Sequence, residues 1–324
     1  MISDVVFDNL SSPPILFFLL GLLATVIRSD LVFPEGLGKA IGVYLLIAIG
    51  FKGGSALAEA GLTTDLVLAV TAALALAVTT PLIAFALLRR ISTLSILDAA
   101  TVAAHYGSAS LVTFLAASSF LAARGLTPEP YLVTLLAVME SPAIVIGMLL
   151  ARRSALQPRP GHGLHEAVTN GSVVLLLGSA TIGYVTGPAG AGALNGFLVE
   201  PFTGILALFL LDMGLLAGRR IRDSHHLPGP LVAFAVAMPM IGGTLGLGAG
   251  LLLGLSVPGT TLLATLAASA SYIVAPAAFR HAYPDSDTSL AVTLALGVTF
   301  PFNLILGIPV YWTVAAMLAG PSIG

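Results

Sequence analysis

The sequence predicts an all-α membrane protein of ten transmembrane helices, arranged as two inverted repeats of five helices each. Three observations predict this fold class. The 324 residues are 57% hydrophobic and only 9% charged, whereas soluble globular domains carry about 25% charged residues. The apolar residues form ten stretches that are long enough to cross a bilayer. The basic residues between these stretches collect on one side of the membrane.

The ten stretches are bounded by arginines, Pro-Gly pairs or acidic clusters. A span uses about 20 apolar residues, so ten spans leave no room for a separate catalytic domain. The residues before the first span include Asp4 and Asp8 and no basic residue, so we expect a transmembrane helix there and not a cleaved signal peptide. The predicted spans are 13–28, 37–58, 66–88, 95–122, 130–151, 166–186, 198–218, 230–255, 259–280 and 288–318.

The basic residues predict the orientation of the chain. Of the 13 lysines and arginines, ten alternating spans place all but Lys52 and Arg124 on one side. Cytoplasmic loops are enriched in lysine and arginine. The sequence therefore predicts a multi-pass protein of the bacterial inner membrane with both termini on the non-cytoplasmic side.

A polar, proline-rich segment divides the chain near its middle. We predict a first repeat over 1–151, a cytoplasmic linker over 152–165 and a second repeat over 166–324. An odd number of spans per repeat inverts the second repeat relative to the first, as in many secondary transporters. Weak internal similarity agrees with this division, because Gly50 aligns with Gly214 at an offset of 164, and Glu140 aligns with Thr299 at an offset of 159.

Spans four and nine each contain a polar segment at equivalent places in the two repeats. Gly107 and Pro276 are residues that let a helix stop and restart, and serine hydroxyls satisfy the backbone groups that such a break frees. We predict interrupted helices here, with both restarted halves pointing their N-termini at the middle of the bilayer. The predicted substrate-binding residues are Gly107, Ser108, Ser110, Thr113, Ser269, Ser271, Tyr272 and Pro276.

The breaks predict the charge of the ligand. A helix N-terminus carries about half a positive charge, so two converging ends favour a small monovalent anion. The carbonyl groups at the ends of the first halves suit a hard cation such as Na+, which would act as a coupling ion. The alternative is that glycine and serine at these positions only allow close helix packing.

Glu140 is predicted to lie within span five, where a charge is costly and is expected to face the protein interior. Together with Thr299 and Asn303, which lies one helical turn further on, it forms a predicted cation-binding set. The alternatives are a Glu140 that titrates as a proton carrier and a buried, protonated Glu140 bonded to a freed carbonyl. Lys52 and Asp212 form a possible ion pair at similar depth. Otherwise, Lys52 reaches the outer interface alone and Asp212 caps a backbone break.

Several function classes are excluded or disfavoured. The chain has no cysteine, which excludes disulfides and thiolate metal sites. It lacks basic patches with interleaved aromatic residues, so nucleic acid is not an expected partner. We predict no catalytic residue, no metal site and no cofactor. Ser108 near His105 suggests an intramembrane hydrolase as an alternative of a different class, but neighbouring helix positions point in different directions. A passive channel is a further alternative.

Four segments resemble the sodium-dependent bicarbonate transporter family, and its general bacterial branch more than its cyanobacterial members. They are AAHYGSASLVTF (103–114), AVMESPAI (137–144), LAASASYIVAPAAFR (266–280) and LGVTFPFNL (296–304). IAIGFKGG (47–54) and LLDMGL (210–215) extend the likeness over nearly the whole chain.

This resemblance implies two inverted five-helix repeats, a core domain and a gate domain, and a substrate held between the interrupted helices. It implies Na+-driven uptake of bicarbonate by a homo-oligomer, expected to be a trimer, with a PII-like regulatory protein as a cytoplasmic partner. Gly107, Ser110, Thr113, Ser269 and Ser271 match the family's binding segments.

The chain departs from the cyanobacterial pattern at several positions. Tyr272 replaces an acidic residue, and Leu111, Val112 and Val274 replace small polar ones. The linker between the repeats is also short. A lost carboxylate weakens a cation site and fewer hydroxyls weaken bicarbonate binding, so proton-coupled transport of another small carboxylate is the alternative function.

Overall fold

The computed structural model describes residues 2–34, 36–61, 63–154, 171–223, 227–283 and 285–319, and these residues form helices and no strand. From residue 155 onward, the predicted linker lies outside the described residues. The helices are α1 (Ile2–Leu10), α2 (Pro13–Val26), α3 (Leu37–Ala60), α4 (Thr64–Ile91), α5 (Ile96–Gly107), α6 (Leu111–Ala122), α7 (Leu132–Ala151), α8 (Gly171–Leu194, continued to Val199 by a π-helical turn), α9 (Phe202–Asp223), α10 (Gly229–Leu252), α11 (Val257–Ala268), α12 (Val274–Ala282) and α13 (Thr288–Leu318, with π-helical turns at Ala295–Thr299 and Asn303–Gly307).

The structure confirms an all-helical membrane protein. Within the described residues, eight helical segments are long and apolar enough to cross a membrane, and α1 with α2 makes a ninth if this pair, bent by 69°, is one span. The predicted number was ten. The predicted ninth span is divided into α11 and α12, which have 12 and 9 residues. At 1.5 Å per residue, neither crosses a hydrocarbon core about 30 Å thick.

Helix α8 differs from the prediction at its second half. Gly187 has φ 57° and ψ −151°, so the helix divides there, one residue after the predicted end of the sixth span. The residues that follow remain helical as far as Val199, whereas the sequence predicted a loop over residues 187–197. Leu198 packs against Ala48 and Phe51 of α3, and this burial explains the helix.

The helices pack in two groups. In one group α3 packs along α8, and α2 packs along α9. In the other group α4, α5 and α7 pack together, as do α10, α11 and α13, and α12 packs beside α5, α7 and α13.

Glycines set the close contact between α3 and α8. A Cβ atom at Gly50 would overlap the Ser179 hydroxyl, and one at Gly54 would overlap the Ala180 carbonyl. Gly183 faces the backbone of Phe51 in the same way. Small residues four positions apart let two membrane helices approach at backbone distance.

The contact between α2 and α9 follows the same pattern. A Cβ atom at Gly214 would overlap the Phe18 carbonyl, and one at Gly218 would lie 2.7 Å from Cβ of Thr25. Gly21 faces the backbone of Leu211. Both long contacts of this group therefore depend on glycines at a spacing of four.

Prolines free backbone carbonyls that distant side chains then satisfy. Pro239 of α10 has no N–H to donate to the Ala235 carbonyl, and the Thr299 hydroxyl donates to that carbonyl at 2.6 Å. Pro309 likewise cannot continue the π-helical ladder to the Leu304 carbonyl, which accepts from the buried Asn9 side chain at 2.8 Å. The first of these bonds ties α13 to α10, and the second ties α1 to α13.

Helices α5 and α11 begin with the same serine cap, at an offset of 161. Ser95 accepts from the Asp98 N–H at 3.0 Å, and Ser256 accepts from the Gly259 N–H at 3.1 Å. The Ser95 hydroxyl also donates to the Asp98 carboxylate at 2.6 Å, whereas Ser256 donates to Glu129, in the loop before α7, at 3.0 Å. Both helices thus begin with a serine bonded to a carboxylate.

We expect Gly54→Ala to lower the thermal stability of the protein, because the added methyl group forces α3 away from α8. Overpacking of this kind costs about 1–3 kcal/mol. Gly178→Ala in α8 is the matched control, since no atom lies within 4 Å of its added Cβ, and alanine favours a helix by up to about 1 kcal/mol. Thermal unfolding in detergent measures both. A Gly54→Ala protein as stable as the control would contradict the account of this contact.

Candidate functional site

The structure breaks both helices where the sequence predicted interruptions. Helix α5 ends at Gly107, and α6 begins at Leu111 after a short extended segment. Helix α11 ends at Ala268, and α12 begins at Val274. Pro276 lies in the first turn of α12, where its fixed φ is compatible with a helix.

Close packing fixes the position of the first break. A Cβ atom at Gly107 would lie 2.7 Å from Cγ of Pro81 in α4 and 2.8 Å from Cβ of Ala143 in α7. Only glycine fits between these two helices. The end of α5 is therefore held by proline and alanine contacts at the point where its helical ladder stops.

The two breaks lie against each other. The Ser271 N–H donates to the His105 carbonyl at 2.8 Å. The Ser110 N–H donates to the Ser269 hydroxyl at 2.8 Å. Each break thus supplies hydrogen-bonding groups to the other, and the two interrupted helices form one crossing.

The second halves of both helices begin beside one cavity. The first residues of α6, Leu111 and Val112, line it together with Val274, the first residue of α12. The N-cap Ser110 accepts from the Thr113 N–H at 3.4 Å, while the N-cap Ile273 of α12 offers no side-chain acceptor. Two helix N-termini, each with partial positive charge, therefore converge on this cavity.

The polar lining of the cavity consists of hydroxyls and one carboxylate. Ser110, Ser271, Tyr272 and Glu140 line it, and Leu46, Ser172 and Leu176 close it from α3 and α8. No lysine or arginine lines the cavity. Its volume is about 30 Å³, which is space for roughly two water molecules. The cavity lies between the two packing groups of helices, so a small movement of one group against the other changes its size.

The predicted substrate-binding residues divide into two sets. Ser110, Ser271 and Tyr272 line the cavity, and the Tyr272 hydroxyl also lies 3.5 Å from the Met213 sulfur of α9. The other predicted residues support the breaks without lining the cavity, namely Gly107, Ser108, Thr113, Ser269 and Pro276. Sequence reasoning missed Ser172, because a single serine at the start of a predicted span carries no distinguishing pattern.

Glu140 lines the cavity, but Thr299 and Asn303 do not. The buried Thr299 hydroxyl lies 2.7 Å from the Tyr106 hydroxyl, in addition to its bond to α10. The Asn303 amide donates to the Ala268 carbonyl at 2.8 Å, the last residue of α11. The structure therefore does not bring the predicted cation set together, and both α13 residues instead satisfy backbone groups.

Lys52 and Asp212 are not paired. The Asp212 carboxylate lies against Gly38, in the first turn of α3, and Lys52 follows fourteen positions later on the same helix. At 1.5 Å per residue, this separation is about 21 Å. Lys52 lines a different cavity of about 300 Å³ together with Glu59, Ser55 and Asn195.

The structure gives Ser108 no catalytic partner. Its hydroxyl is completely buried and has no hydrogen-bond partner. His105 is also buried, and its Nδ1 lies 2.7 Å from the Thr101 carbonyl, so this nitrogen carries the proton and Nε2 has no partner. An activated serine needs a base within hydrogen-bond reach, and the described residues supply none to Ser108. Among all the residues that the structure describes, no three His, Asp or Glu side chains lie together as metal ligands.

Comparison with known proteins identifies the family. A search of curated proteins found no match. The family model of the Na+-dependent bicarbonate transporter superfamily matches residues 13–316. The match includes both breaks, the cavity and every candidate residue described above. The chain therefore belongs to the Na+-dependent bicarbonate transporter superfamily.

Proposed function

We propose that this protein is a secondary transporter that couples Na+ to the uptake of bicarbonate. The observation that carries this proposal is the convergence of the two helix N-termini on one cavity between the interrupted helices. The cavity has positive backbone ends, hydroxyl groups and no basic side chain. Such a site favours a small anion of single charge, which the helix ends can balance.

Bicarbonate suits the donors that line the cavity. Its oxygens accept hydrogen bonds and its hydroxyl donates one, and serine and tyrosine hydroxyls serve in both directions. Ser271 and Tyr272 come from one break and Ser110 from the other. Tyr272 stands where cyanobacterial members have an acidic residue, so the anion site here gains a neutral donor and loses a negative neighbour.

We propose that the described helices form two inverted repeats. The glycine contacts support this arrangement, because Gly50 and Gly54 of α3 align at an offset of 164 with Gly214 and Gly218 of α9. Each pair packs on the first long helix of the other repeat, because Gly50 and Gly54 face α8 while Gly214 and Gly218 face α2. The serine caps of α5 and α11 agree with the same symmetry at an offset of 161. Counting α11 with α12 as one broken span, and α1 with α2 as another, gives ten spans.

The two packing groups are the proposed gate and core. Helices α2, α3, α8 and α9 form the gate, and the interrupted helices with their neighbours form the core. The cavity lies at their boundary, because Leu46 and Leu176 belong to the gate while Ser110 and Ser271 belong to the core. Movement of one group against the other is our proposed mechanism of alternating access.

Glu140 is the proposed link to the cation. A carboxylate inside a membrane span is costly unless it has a function or a partner, and no described side chain forms an ion pair with it. Its place in the cavity lining supports a second candidate, a proton-coupled carrier of a small carboxylate in which Glu140 takes up the proton. We keep Thr299 and Asn303 in the proposal as residues that support the site from α13.

The remaining proposals concern the setting of the protein. We place it in the bacterial inner membrane with both termini on the non-cytoplasmic side, on the basis of the distribution of its basic residues. A homo-oligomer, expected to be a trimer, and a PII-like regulatory protein at the cytoplasmic face are proposed from the family resemblance.

Purified protein in liposomes is expected to take up labelled bicarbonate only when a Na+ gradient points inward. Replacing Na+ by K+, or collapsing the gradient with an ionophore, should reduce uptake to the level of empty liposomes. Uptake that is indifferent to Na+ but follows a proton gradient would favour the second candidate.

Ser271→Ala is expected to raise the KM for bicarbonate about tenfold, because a lost hydrogen bond to a charged ligand costs about 1.5 kcal/mol or more. Ser119→Ala in α6 is the matched control, since Ser119 does not line the cavity. Initial uptake rates over a range of bicarbonate concentrations measure both variants. Equal KM values for the two variants would remove Ser271 from the site.

Glu140→Gln is expected to raise the Na+ concentration needed for half-maximal uptake, because the amide keeps the shape of the side chain but loses its charge. Bicarbonate uptake by the variant should still depend on a Na+ gradient and not on a H+ gradient. Uptake at varied Na+ and at varied pH distinguishes the two roles. An unchanged Na+ requirement together with a lost pH dependence would assign Glu140 to proton coupling.

A further inference from the structure

A second cavity lies between α3 and the second half of α8. Its volume is about 300 Å³. Its polar lining consists of Lys52, Ser55, Glu59 and Asn195. Leu46 lines the cavity between the two breaks, whereas Ala48 lines this one. Successive helix residues turn by about 100°, so these two side chains leave nearly opposite sides of α3. The second cavity therefore faces away from the proposed bicarbonate site.

Lys52 carries a charge inside the membrane. Helix α3 is long and apolar enough to cross a bilayer, and Lys52 lies about 12 Å before its end at Ala60. A lysine at this depth is costly unless its charge is compensated or reaches the interface. Its side chain is exposed, and within the described residues no carboxylate forms an ion pair with it. The described part of the chain therefore does not compensate this charge.

Glu59 gives the same cavity a charge of opposite sign nearer the membrane surface. It lies about 10 Å further along α3 than Lys52, next to the last residue of the helix. Its side chain is also exposed and has no ion-pair partner among the described residues. From the middle of the bilayer outward, the cavity thus presents first a positive and then a negative charge.

The deeper end of the cavity is apolar. Ala48 precedes Lys52 by about one helical turn and packs against Leu198 of α8. Leu194 and Val199 also line the cavity, and they remain 40% and 36% exposed. Below the charged pair, the cavity therefore offers an apolar surface suited to a hydrocarbon chain.

We propose that this cavity binds one molecule of phosphatidylethanolamine. The phosphate of this lipid lies next to the acyl chains, and its primary ammonium lies at the outer end. The order of charges matches the cavity, with the phosphate at Lys52, the ammonium at Glu59 and an acyl chain along the apolar end. The inference goes beyond the proposed function and does not depend on it.

Glu59 makes the site selective among phospholipids. A primary ammonium donates hydrogen bonds to a carboxylate, as a lysine does. The trimethylammonium group of phosphatidylcholine has no N–H to donate. Phosphatidylglycerol places no positive charge beside Glu59 and leaves that carboxylate near its phosphate. Both lipids should therefore bind more weakly than phosphatidylethanolamine.

A lipid in this cavity completes the packing of α8. The helix divides at Gly187, and of residues 188–199 only Leu198 is buried. The second half of α8 thus has little contact with the rest of the protein. A lipid held between it and α3 contacts both helices, so bound phosphatidylethanolamine should raise the unfolding temperature.

Lys52→Met and Glu59→Gln separate the two contacts. Delipidated protein in detergent is titrated with each of the three lipids, and native mass spectrometry measures each apparent Kd. Lys52→Met should raise the Kd for phosphatidylethanolamine and for phosphatidylglycerol about tenfold, the loss expected for one charge-assisted hydrogen bond. Glu59→Gln should raise the Kd for phosphatidylethanolamine by a similar factor but lower that for phosphatidylglycerol.

Two variants serve as controls. Lys39→Met removes a lysine of the same helix that does not line the cavity, and its Kd values should equal those of the wild type. Lys52→Arg keeps the charge and should keep the affinity. Thermal unfolding with added phosphatidylethanolamine provides the second readout, in which the wild type and both controls gain stability and Lys52→Met gains less.

Three results would overturn the inference. A wild type without preference for phosphatidylethanolamine, or Lys52→Met and Glu59→Gln proteins with wild-type Kd values, would show that Lys52 reaches the interface alone. Displacement of the lipid by equal concentrations of glycerophosphoethanolamine, which has no acyl chains, would assign the cavity to a soluble ligand. A changed oligomeric state of Lys52→Met with unchanged lipid binding would assign it to a second copy of the chain.

Discussion

The satisfaction of backbone carbonyls inside an apolar fold is the constraint on which the structure depends. A bilayer offers no water to a freed carbonyl, so each break or proline in a membrane helix requires a donor from elsewhere in the protein. Thr299 supplies one to Ala235 of α10, and Asn303 supplies one to Ala268 at the end of α11. These long-range bonds bring α13 against both helices. The polar residues of α13 therefore satisfy carbonyls that a proline and a helix break leave free, and at the end of α5 the Ser271 N–H supplies the His105 carbonyl.

The same constraint supports the proposal that a chain with so few charges transports ions. A charged side chain within the membrane is expensive, whereas the two ends of an interrupted helix provide partial charges of both signs without any ionisable group. Crossing two such helices places like ends near each other. The positive starts of α6 and α12 meet at the cavity with Ser110 and Ser271, and the carbonyl end of α5 comes just before Ser110 in the chain. The proposed anion site thus arises from backbone geometry, and Glu140 adds a carboxylate to the cavity lining.

Much of this arrangement could be predicted from the sequence, and the remainder could not for physical reasons. Hydropathy identified the membrane helices, and Gly107 and Pro276 marked the breaks because glycine and proline have direct backbone consequences. Local patterns do not report which side chains satisfy which carbonyls, so Asn303 was predicted as a cation ligand when it bonds to Ala268. The pairing of Lys52 with Asp212 likewise assumed equal depth, whereas Asp212 meets the start of α3. The helix after Gly187 depends on packing against α3 and leaves no periodic signal.

The most direct test of the central claim is the position of the bound anion. A cryo-electron microscopy map of the protein in nanodiscs with sodium bicarbonate should show density between the first turns of α6 and α12, within hydrogen-bond distance of Ser110 and Ser271. A matched map in sodium gluconate should lack it. Density in the cavity beside Lys52, with the space between the crossed breaks empty in both maps, would contradict the account.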